Sequence, residues 1–368
     1  MMPTSSKHHR AGMNRLFTLA MVVGGLSISA CSGTSSEVTG ARHTESPAPE
    51  VPWFAGYVDV TLPSSYEFDK PPNPEAARAV LSFIVADPEN PCTPSWGGHH
   101  SMDGAASKLN LDQRITRLRD KGGEIVISFG GQLADELATG CRDKENLAAA
   151  YRSVIKRYGS NVVDLDIERD DLDDESAGRR RAEVIAQLQH ERTGADPLQV
   201  WVTLPATPKG LTDHGAAAVT QMLEAGVDLA GVNIMIMNYS ASRLKEQTML
   251  EASVAAIRST HSQLGTIYAD AGQPLDASEL WSQIGVTPMI GHNDVAGEVI
   301  DMAAARGINK FARNHGIGRI SMWSLNRDRP CATEERDGAQ PSNTCSGLGQ
   351  EIGAFSRILG NGYTGSVR

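Results

Sequence analysis

The sequence predicts an α/β protein, and within that class a single (β/α)8 TIM barrel. From residue 53 onward, short apolar runs alternate with longer segments whose apolar residues recur at helical spacing, which is typical of consecutive β-then-α units. Eight such units fit into the roughly 310 residues that follow, whereas a barrel needs roughly 250 before insertions. No G-x-G-x-x-G motif opens a helix after a strand, which disfavours a doubly wound open sheet.

The strands are predicted from short apolar runs that end at turn-forming residues. They cover residues 53–60, 79–86, 124–131, 161–168, 198–206, 231–239, 284–291 and 318–325. Helices are predicted where apolar residues recur every three to four positions, at residues 111–121, 145–158, 175–192, 215–225, 244–264, 294–305 and 350–359. The Pro-rich segment between the first two strands has little helical pattern, so we expect a first crossover with little helix.

Composition and charge restrict the classes of ligand. The chain has 368 residues, of which 40% are hydrophobic and 21% charged, as is ordinary for a globular protein. Its formal net charge is -10, and no long basic run occurs in the body of the chain. A nucleic-acid partner is therefore not expected, because nucleic-acid binders present basic patches to the phosphate groups.

The N-terminus has the pattern of an export signal. Basic residues up to Arg15 precede an apolar run over residues 16–28, which is too short to span a membrane. The segment Ile28-Ser29-Ala30-Cys31 resembles a bacterial lipobox, in which the cysteine becomes the lipidated first residue. We expect a signal peptide over residues 1–31, a disordered tether over 32–51 and the barrel over 52–368. The protein would be a monomer anchored to the outer face of the cell membrane, or a secreted one if Cys31 is not lipidated.

Four further cysteines, Cys92, Cys141, Cys331 and Cys345, allow three disulfide connectivities in an exported chain. Cys331 and Cys345 lie in one segment rich in Gly, Pro and Asn, which favours a local disulfide there and leaves Cys92 for Cys141. No pair has C-x-x-C spacing and no H-E-x-x-H motif occurs. The sequence therefore predicts neither a metal site nor a cofactor.

The fourth strand carries three acids, Asp164, Asp166 and Glu168, at every second position. Alternate side chains of a strand share a face, so the carboxyl groups project together, with neighbours roughly 6.5 to 7 Å apart. In isolation, this pattern also fits a solvated acidic face or a divalent-metal site. In a barrel, however, helices cover the outside of the strands and catalytic groups gather at their carboxyl ends. We therefore expect a catalytic site in which repulsion keeps one carboxyl protonated as a general acid.

Other strand ends carry residues that would surround these acids. The third strand ends in Ser128-Phe129-Gly130-Gly131, whose glycines allow the backbone to pass close to another group. Further candidates at strand ends and in loops are Asp59, Trp96, Met237, Asn238, Tyr239, Asn293, Asp294 and Trp323. A structural role, in the core for Trp and Met or as a loop cap for the polar residues, remains an alternative for each of them.

Together these segments resemble the family-18 chitinases, from about Trp53 to the C-terminal region. The family signature D-G-x-D-x-D-x-E matches residues 161–168, the S-x-G-G motif matches 128–131, and the tryptophan of the eighth strand matches Trp323. A bacterial and archaeal branch is especially similar. Its segments Y-V-D-V-T, C-T-P-S-W-G-G, T-P-M-I-G-x-N-D and S-M-W-S-L-N-R-D match residues 57–61, 92–98, 287–294 and 321–328.

The chain departs from the family pattern at two places. Asn161 and Val162 stand where the signature has Asp and Gly, so the acid farthest from the proton donor is absent. Met237-Asn238 stands where the family has Tyr-Asp, and we expect Asn238 or Tyr239 to supply those polar contacts.

The resemblance implies a hydrolase of β-1,4-linked N-acetylglucosamine, chitin or its oligomers, that retains configuration with help from the substrate. Glu168 would act as general acid and then activate water, Asp166 would stabilise the oxazolinium ion formed by the substrate's N-acetyl oxygen, and Asp164 would tune Asp166. Trp323 would floor the subsite of the reacting sugar, with Trp96 as a second platform. The remaining substrate contacts would come from Asp59, Ser128, Gly130, Gly131, Met237, Asn238, Tyr239, Asn293 and Asp294.

Two other functions fit the same barrel. An endo-β-N-acetylglucosaminidase acting on glycoprotein glycans uses the same core residues, and no loop of the chain is diagnostic between the two substrates. A chitin-binding lectin is a non-catalytic alternative, although such proteins typically lack the acid that Glu168 provides.

Overall fold

The computed structural model describes residues 51–63, 66–192, 197–332 and 341–367. The signal peptide, the lipobox with Cys31 and the tether predicted for residues 1–51 therefore lie outside the described residues, apart from Val51. None of the helices within the described ranges has the length and apolar character that crossing a membrane requires.

Within these ranges the chain forms fourteen strands and eleven α-helices. The strands are β1 (Trp53–Phe54), β2 (Gly56–Asp59), β3 (Arg78–Ala86), β4 (Pro94–Trp96), β5 (His100–Ser101), β6 (Glu124–Gly130), β7 (Val162–Asp166), β8 (Gln199–Thr207), β9 (Gly210–Leu211), β10 (Leu229–Met235), β11 (Ile284–Thr287), β12 (Gly291–His292), β13 (Val299–Ile300) and β14 (Arg319–Ile320). The helices are α1 (Met102–Lys108), α2 (Leu111–Arg119), α3 (Leu137–Gly140), α4 (Lys144–Tyr158), α5 (Arg169–Asp173), α6 (Glu175–Glu191), α7 (Asp213–Glu224), α8 (Met249–Asp270), α9 (Ala277–Ser282), α10 (Met302–His315) and α11 (Ala354–Leu359).

Eight parallel strand positions close the barrel. Seven of them pair in the order β14, β11, β10, β8, β7, β6 and β3. The eighth position is a strand interrupted at Ala55, whose first part, β1, pairs with β14 and whose second part, β2, pairs with β3. The backbone N–H groups of Ala55 and Tyr57 donate to Ile320 O and Met322 O at 3.1 and 3.0 Å, which continues the ladder. The sheet closes on itself, and the predicted (β/α)8 barrel is confirmed.

The connection that precedes β3 and the one that follows it differ from a plain helical crossover. Between β2 and β3, the described residues contain a 3-10 turn at Glu75–Ala77 and no α-helix, as the Pro-rich sequence predicts. Between β3 and β6, the antiparallel pair β4–β5 and the helix α1 precede α2, where the sequence predicts only a loop before the helix. This insertion lies on the side of the barrel where β3 ends.

The helix predicted over residues 294–305 is wrong. Only residues 302–305 of this segment are helical, as the start of α10. Before them, β13 pairs antiparallel with β12, and Gly297 adopts a φ of 82° between the two strands. Helix α10 begins at Met302 because Asp301 caps it, accepting a hydrogen bond from Ala304 N at 2.7 Å. Asp294 and Asp301 are both plausible cap residues in the sequence, and the later one is used.

Two other helices begin later than predicted. Helix α8 begins at Met249 rather than near residue 244, because Thr248 and Glu251 form a reciprocal capping box. Helix α11 begins at Ala354 rather than at 350, because Gly353 adopts a φ of 74° and interrupts the helical backbone.

The interior of the barrel is filled by its own cluster of inward-facing side chains. Its buried members are Trp53, Ala55, Tyr57, Val80, Val126, Val162, Trp201 and Val367. Val367 belongs to the C-terminal segment, which crosses the end of the barrel where the strands begin. There Val367 N donates to Glu124 Oε2 at 2.9 Å and Gly365 N donates to Pro52 O at 3.0 Å. The floor of the barrel is therefore covered by the last residues that the structure describes.

Two disulfides, Cys92–Cys141 and Cys331–Cys345, have Cα–Cα distances of 4.6 and 5.0 Å. This is the connectivity that the sequence favours. The first joins the segment before β4 to the residue that ends α3, so it fastens the β4–β5 insertion to the segment that follows β6.

Candidate active site

Asp164 lies in β7 with its side chain fully buried inside the barrel. Its Oδ2 accepts hydrogen bonds from the hydroxyls of Tyr57 and Ser128 at 2.8 and 2.7 Å. Its Oδ1 accepts from the Thr203 hydroxyl at 2.7 Å and from Arg319 Nη1 at 2.6 Å. Four donors offset the cost of removing the carboxylate from water. Asp164 is therefore fixed in one position by residues from four other strand positions of the barrel.

Arg319, at the start of β14, is the cation beside Asp164, and the sequence pattern does not single it out. Its side chain is fully buried, and its guanidinium carbon lies 5.1 Å from the ring centroid of Trp53 and 5.5 Å from that of Trp201. Cation–π attraction to these rings adds to the ion pair. One feature of the sequence is consistent with this role: an arginine opens an otherwise apolar strand, and a buried guanidinium requires a carboxylate partner. The sequence does not identify that partner.

Asp166, the last residue of β7, lies two residues closer to the carboxyl end of the barrel. Its side chain is 4% exposed, and within the described part of the chain its Oδ1 has no hydrogen-bond partner. Burial, together with the negative charges of Glu168 and Asp164, raises the pKa of Asp166 well above its ordinary value. Buried polar atoms are normally paired. Asp166 is therefore available to a hydrogen-bond donor on a bound molecule.

Glu168 immediately precedes α5 and is partly exposed. Its side chain makes no capping hydrogen bond to that helix, so the helix does not engage the carboxyl. Burial raises the pKa of Glu168 to about 7, with the negative charges of Asp171 and Asp294 adding to the rise and the positive charge of Arg169 opposing it. A carboxyl with a pKa near neutrality can both hold and release a proton at working pH, as a general acid and base must.

Two glycines at the end of β6 allow the backbone to approach Asp166. Gly130 has a φ of 98°, and a Cβ atom at this position would lie 2.1 Å from the carbonyl oxygen of Asp166. Gly131 has a φ of 91°, and a Cβ atom there would lie 2.7 Å from the ring of Phe83. Gly131 N also donates to Asp166 O at 2.8 Å. These glycines therefore determine where the Asp166 backbone lies.

Three aromatic rings, the partly exposed Phe83 and Trp323 and the buried Tyr57, lie together at the carboxyl ends of neighbouring strands. The rings of Phe83 and Trp323 are stacked, with centroids 5.7 Å apart and an interplanar angle of 14°. The hydroxyl of Tyr57 donates the hydrogen bond to Asp164 described above. The ring centroid of Tyr57 lies 6.2 Å from that of Phe83 and 6.1 Å from that of Trp323. The sequence predicts Trp323 but misses Phe83, because the apolar run of β3 does not distinguish one inward-facing residue from the rest.

Met237 and Asn238 follow β10, and both are partly exposed. Asn238 adopts a φ of 51°. Its Nδ2 donates to Asp294 Oδ2 at 2.8 Å, and its Oδ1 accepts from Asp294 N at 2.9 Å. This reciprocal pair joins the loop after β10 to the loop after β12. Asp294 is exposed, and its charge acts on Glu168.

Trp96 does not have the exposed surface that a sugar platform requires, so the predicted platform role is wrong. The side chain is fully buried in β4, and its Nε1 donates to the hydroxyl of Tyr158 in α4 at 2.8 Å. Its two neighbouring glycines mark a tight turn after β4, and the ring belongs to the core between β4 and α4.

Three polar candidates instead serve the structure around them. Tyr239 is 4% exposed and its hydroxyl lies 3.5 Å from that of Ser253 in α8. Of the two residues expected to replace the family's polar contacts, Asn238 is therefore the partly exposed one. Asn293 is buried, and its Nδ2 donates to Met289 O at 2.8 Å. Asp59 Oδ1 accepts from Thr61 N at 2.9 Å. For Asn293 and Asp59 the loop-capping alternative is the one observed.

Asn161 stands at the position of the missing acid of the signature. Asn161 precedes β7, and its Oδ1 accepts a hydrogen bond from Arg192 Nη2 at 2.6 Å. The side chain therefore contributes to the connection after α6 instead of the polar group around Asp164.

Comparison with known proteins identifies chitinases among the proteins similar to this chain. No model of a known protein family matches the chain. The chain is 31% identical over 290 residues to a probable bifunctional chitinase/lysozyme of Escherichia coli strain K12, and 30% identical over 290 residues to endochitinase 11 of Metarhizium anisopliae. Both matches cover 76% of this chain, but 31% and 53% of the respective relatives, so the chain spans about a third to a half of their length.

A solved structure resembles almost the whole described barrel. The catalytic domain of a hyperthermophilic chitinase from Pyrococcus furiosus matches with a TM-score of 0.70 and 26% identity, covering 86% of this chain and 99% of that domain. Mutants of active domain 2 of a thermostable chitinase from the same organism, complexed with chito-oligosaccharides, match with the same TM-score and cover 86% of this chain. In both sequence and structure, the chain is therefore similar to chitinases.

Proposed function

We propose that this protein hydrolyses β-1,4 linkages between N-acetylglucosamine units of chitin or its oligomers, with retention of configuration and with Glu168 as the general acid and base. One observation carries the proposal: the partly exposed Glu168, whose pKa is raised to about 7, follows two residues after the buried Asp166, which has an unpartnered oxygen. The complex of a related Pyrococcus furiosus chitinase with chito-oligosaccharides supports this class of substrate.

Glu168 supplies the proton in the first step. Its carboxyl group protonates the glycosidic oxygen as the bond to the anomeric carbon breaks, so the leaving sugar departs as a neutral alcohol. The raised pKa keeps this carboxyl protonated up to about neutral pH. In the second step the resulting carboxylate accepts a proton from water, which attacks the anomeric carbon.

Asp166 supports the nucleophile, which is the substrate's own acetamido oxygen. This oxygen forms a bond to the anomeric carbon while the bond to the leaving group breaks, giving an oxazolinium ion with a positive charge near its N–H. The unpartnered Oδ1 of Asp166 accepts a hydrogen bond from that N–H. Asp164, held by Arg319, places negative charge behind Asp166 and keeps its side chain from turning inward.

The stacked rings of Trp323 and Phe83 form the floor for the reacting sugar. Both are partly exposed, and a flat ring complements the apolar face of a pyranose. Phe83 enlarges the platform that the sequence assigns to Trp323 alone. Ser128 donates to Asp164, and with the two glycines after it positions the acids rather than the sugar.

The direct test compares wild type with Glu168→Gln on a chitooligosaccharide, with substrate binding measured by calorimetry in parallel. We expect kcat to fall by at least about a thousandfold, because both the acid and the base functions are lost, while the Kd changes little. Glu175→Gln, an exposed glutamate at the start of α6, is the matched control and should retain full activity. Equal turnover by wild type and Glu168→Gln, or binding without turnover by both, would contradict the proposal.

The substrate class is tested separately by the polymer offered. Chitin oligomers and a high-mannose glycoprotein are digested side by side with the same preparation. We expect release of N-acetyl-chitooligosaccharides and no release of the intact glycan. The opposite result would overturn the assignment of chitin as substrate and leave the chemistry of Glu168 in place.

We further propose that residues 1–31 direct export, that Cys31 is lipidated, and that the monomeric barrel is carried on the tether of residues 32–51. The lipobox-like segment Ile28-Ser29-Ala30-Cys31 and its preceding apolar run support this. Labelling with a radioactive fatty acid in a bacterial host should mark the wild type and not Cys31→Ser. Labelling of both proteins, or of neither, would contradict lipidation.

A further inference from the structure

Asp171 lies in α5, the short helix that begins directly after Glu168. Its backbone N–H donates to Glu168 O at 3.1 Å, which forms the first turn of the helix. Its side chain is 6% exposed, and Oδ2 accepts a hydrogen bond from the backbone N–H of Glu136 at 3.0 Å. Asp171 therefore connects the turn that carries Glu168 to the segment that follows β6.

Several hydrogen bonds in turn fix the side chain of Glu136. Its carboxylate is fully buried and accepts hydrogen bonds from Arg181 Nε at 2.9 Å, from Ala138 N at 2.8 Å and from the hydroxyl of Tyr151. Its Cγ lies 3.3 Å from where a Cβ atom on Gly130 would be. The residues that anchor Asp171 thus pack against the same glycine that sets the backbone of Asp166.

A carboxylate is a costly choice for this position if its only task is to accept one hydrogen bond. An asparagine oxygen would accept from Glu136 N equally well and carry no charge into the interior. Burial and the nearby Glu136 charge raise the pKa of Asp171 to about 6, and the hydrogen bond from Glu136 N and the positive charge of Arg181 offset only part of this rise. A negative charge at this position is therefore unfavourable on balance. A buried charge retained at such a cost is a candidate for a functional role.

The negative charge of Asp171 contributes to the raised pKa of Glu168. The groups that face Glu168 are Arg169 and Asp171 from α5, Asp166 from β7 and Asp294 from the loop after β12. Asp294 is exposed, whereas Asp171 is buried and its charge is less screened by water.

We propose that Asp171 is a positioning residue for Glu168: it fixes the turn that presents the Glu168 carboxyl and supplies a buried negative charge that keeps this carboxyl protonated at neutral pH. The proposal rests on the proposed role of Glu168 as the proton donor. Asp171 itself need not touch the substrate, because it acts through the backbone and the charge of Glu168.

The test compares Asp171→Asn with Asp170→Asn. Both changes replace an aspartate of α5 by its amide, but Asp170 is exposed, so water screens its charge. Asp171→Asn keeps an acceptor for Glu136 N and removes only the charge. Asp171→Ser, whose hydroxyl also accepts and carries no charge, replaces it if Asp171→Asn does not fold.

The first measurement is the pH profile of kcat/KM. Removing a negative charge lowers the pKa of Glu168, so the alkaline limb of Asp171→Asn should move by about one pH unit to lower pH. Activity at pH 8 should then fall about tenfold, because one pH unit is a tenfold change in the protonated fraction. Activity at pH 5 and the melting temperature should change little, and Asp170→Asn should match wild type throughout.

The second measurement does not depend on turnover. Protein labelled with carbon-13 at the glutamate carboxyl carbons is titrated by NMR, and the Glu168 signal is identified by its absence in Glu168→Gln. We expect a lower titration midpoint in Asp171→Asn than in wild type and Asp170→Asn. Coincident midpoints and pH profiles in all three would overturn the proposal for Asp171. A shifted midpoint in a protein without turnover would support Asp171 and contradict the proposed hydrolase activity.

Discussion

At the scale of single residues, Glu168 and Asp166 differ because their surroundings differ. Glu168 stands where β7 has ended, partly exposed and influenced by charges of both signs. Asp166 is buried between two other acids, and one of its oxygens is unpartnered among the described residues. Two carboxyl groups in different environments can take different roles in one reaction, one as proton donor and one as stabiliser of positive charge.

The pH dependence of activity follows from the direction of the Glu168 shift. Glu168 must be protonated to donate, and its pKa is raised from 4.5 to about 7. We therefore expect kcat/KM of the wild type to stay high through weakly acidic pH and to fall tenfold per unit above about pH 7. Initial rates between pH 4 and 9 measure this. An alkaline limb centred below pH 5 would contradict a protonated Glu168 as the donor.

The sequence predicts the acids because strand alternation determines which side chains share a face, and Asp164, Asp166 and Glu168 lie two residues apart. It does not predict Phe83, Arg319 or Asp171, because their roles depend on contacts between segments far apart in the chain. For Trp96 and Tyr239 the opposite holds: the sequence suggests a contact with the substrate, and the structure places the side chain in the core. Residue type suggests a sugar contact, but only packing against Tyr158 and Ser253 reveals that each faces the core.

At the scale of elements, the site depends on how strands end. Strand β6 ends in two glycines at positive φ, and this permits its backbone to approach the carbonyl of Asp166. The sequence predicts such a close approach from the glycines alone, but it cannot identify the group approached. Helix starts are less predictable, because two aspartates near α10 are suitable caps and the preceding β12–β13 pair decides between them.

Replacing Gly130 with alanine tests the close approach. An alanine at positive φ costs about 1–2 kcal/mol of conformational energy, and the Cβ atom would also lie 2.1 Å from Asp166 O. Gly122→Ala is the matched control, since Gly122 has a φ of 79° and no atom within 4 Å of a Cβ. We expect Gly130→Ala to lower the free energy of unfolding by about 2 kcal/mol more than Gly122→Ala, with a loss of kcat. Equal stability and activity of the two variants would contradict the role given to Gly130.

At the scale of the whole barrel, closure brings distant residues to one carboxylate. Donors to Asp164 come from β2, β6, β8 and β14, and the pair with Arg319 spans 155 positions of the chain. The eight-unit alternation predicts that such a centre exists. It does not predict which inward residues are polar, since the interior cluster around Trp53 and Trp201 is otherwise apolar.

The ion pair between Arg319 and Asp164 should contribute strongly to the free energy of unfolding. Arg319→Met leaves the buried Asp164 without its cation and is expected to cost about 3–5 kcal/mol of unfolding free energy. Adding Asp164→Asn removes the uncompensated charge, so the double variant should be more stable than Arg319→Met alone. Urea denaturation of the four proteins in this cycle measures the coupling. A double variant less stable than either single one would contradict a direct charge pair.

The central claim, proton donation by Glu168, is tested most directly by varying how much the leaving group needs a proton. The measurement is kcat/KM of Glu168→Gln relative to wild type on two N-acetylchitobiosides, one with a 4-methylumbelliferyl leaving group and one with a 2,4-dinitrophenyl leaving group. We predict a loss of about a hundredfold or more on the first and a much smaller loss on the second, because dinitrophenolate departs without protonation. Equal losses on both substrates would contradict the assignment of Glu168 as the acid.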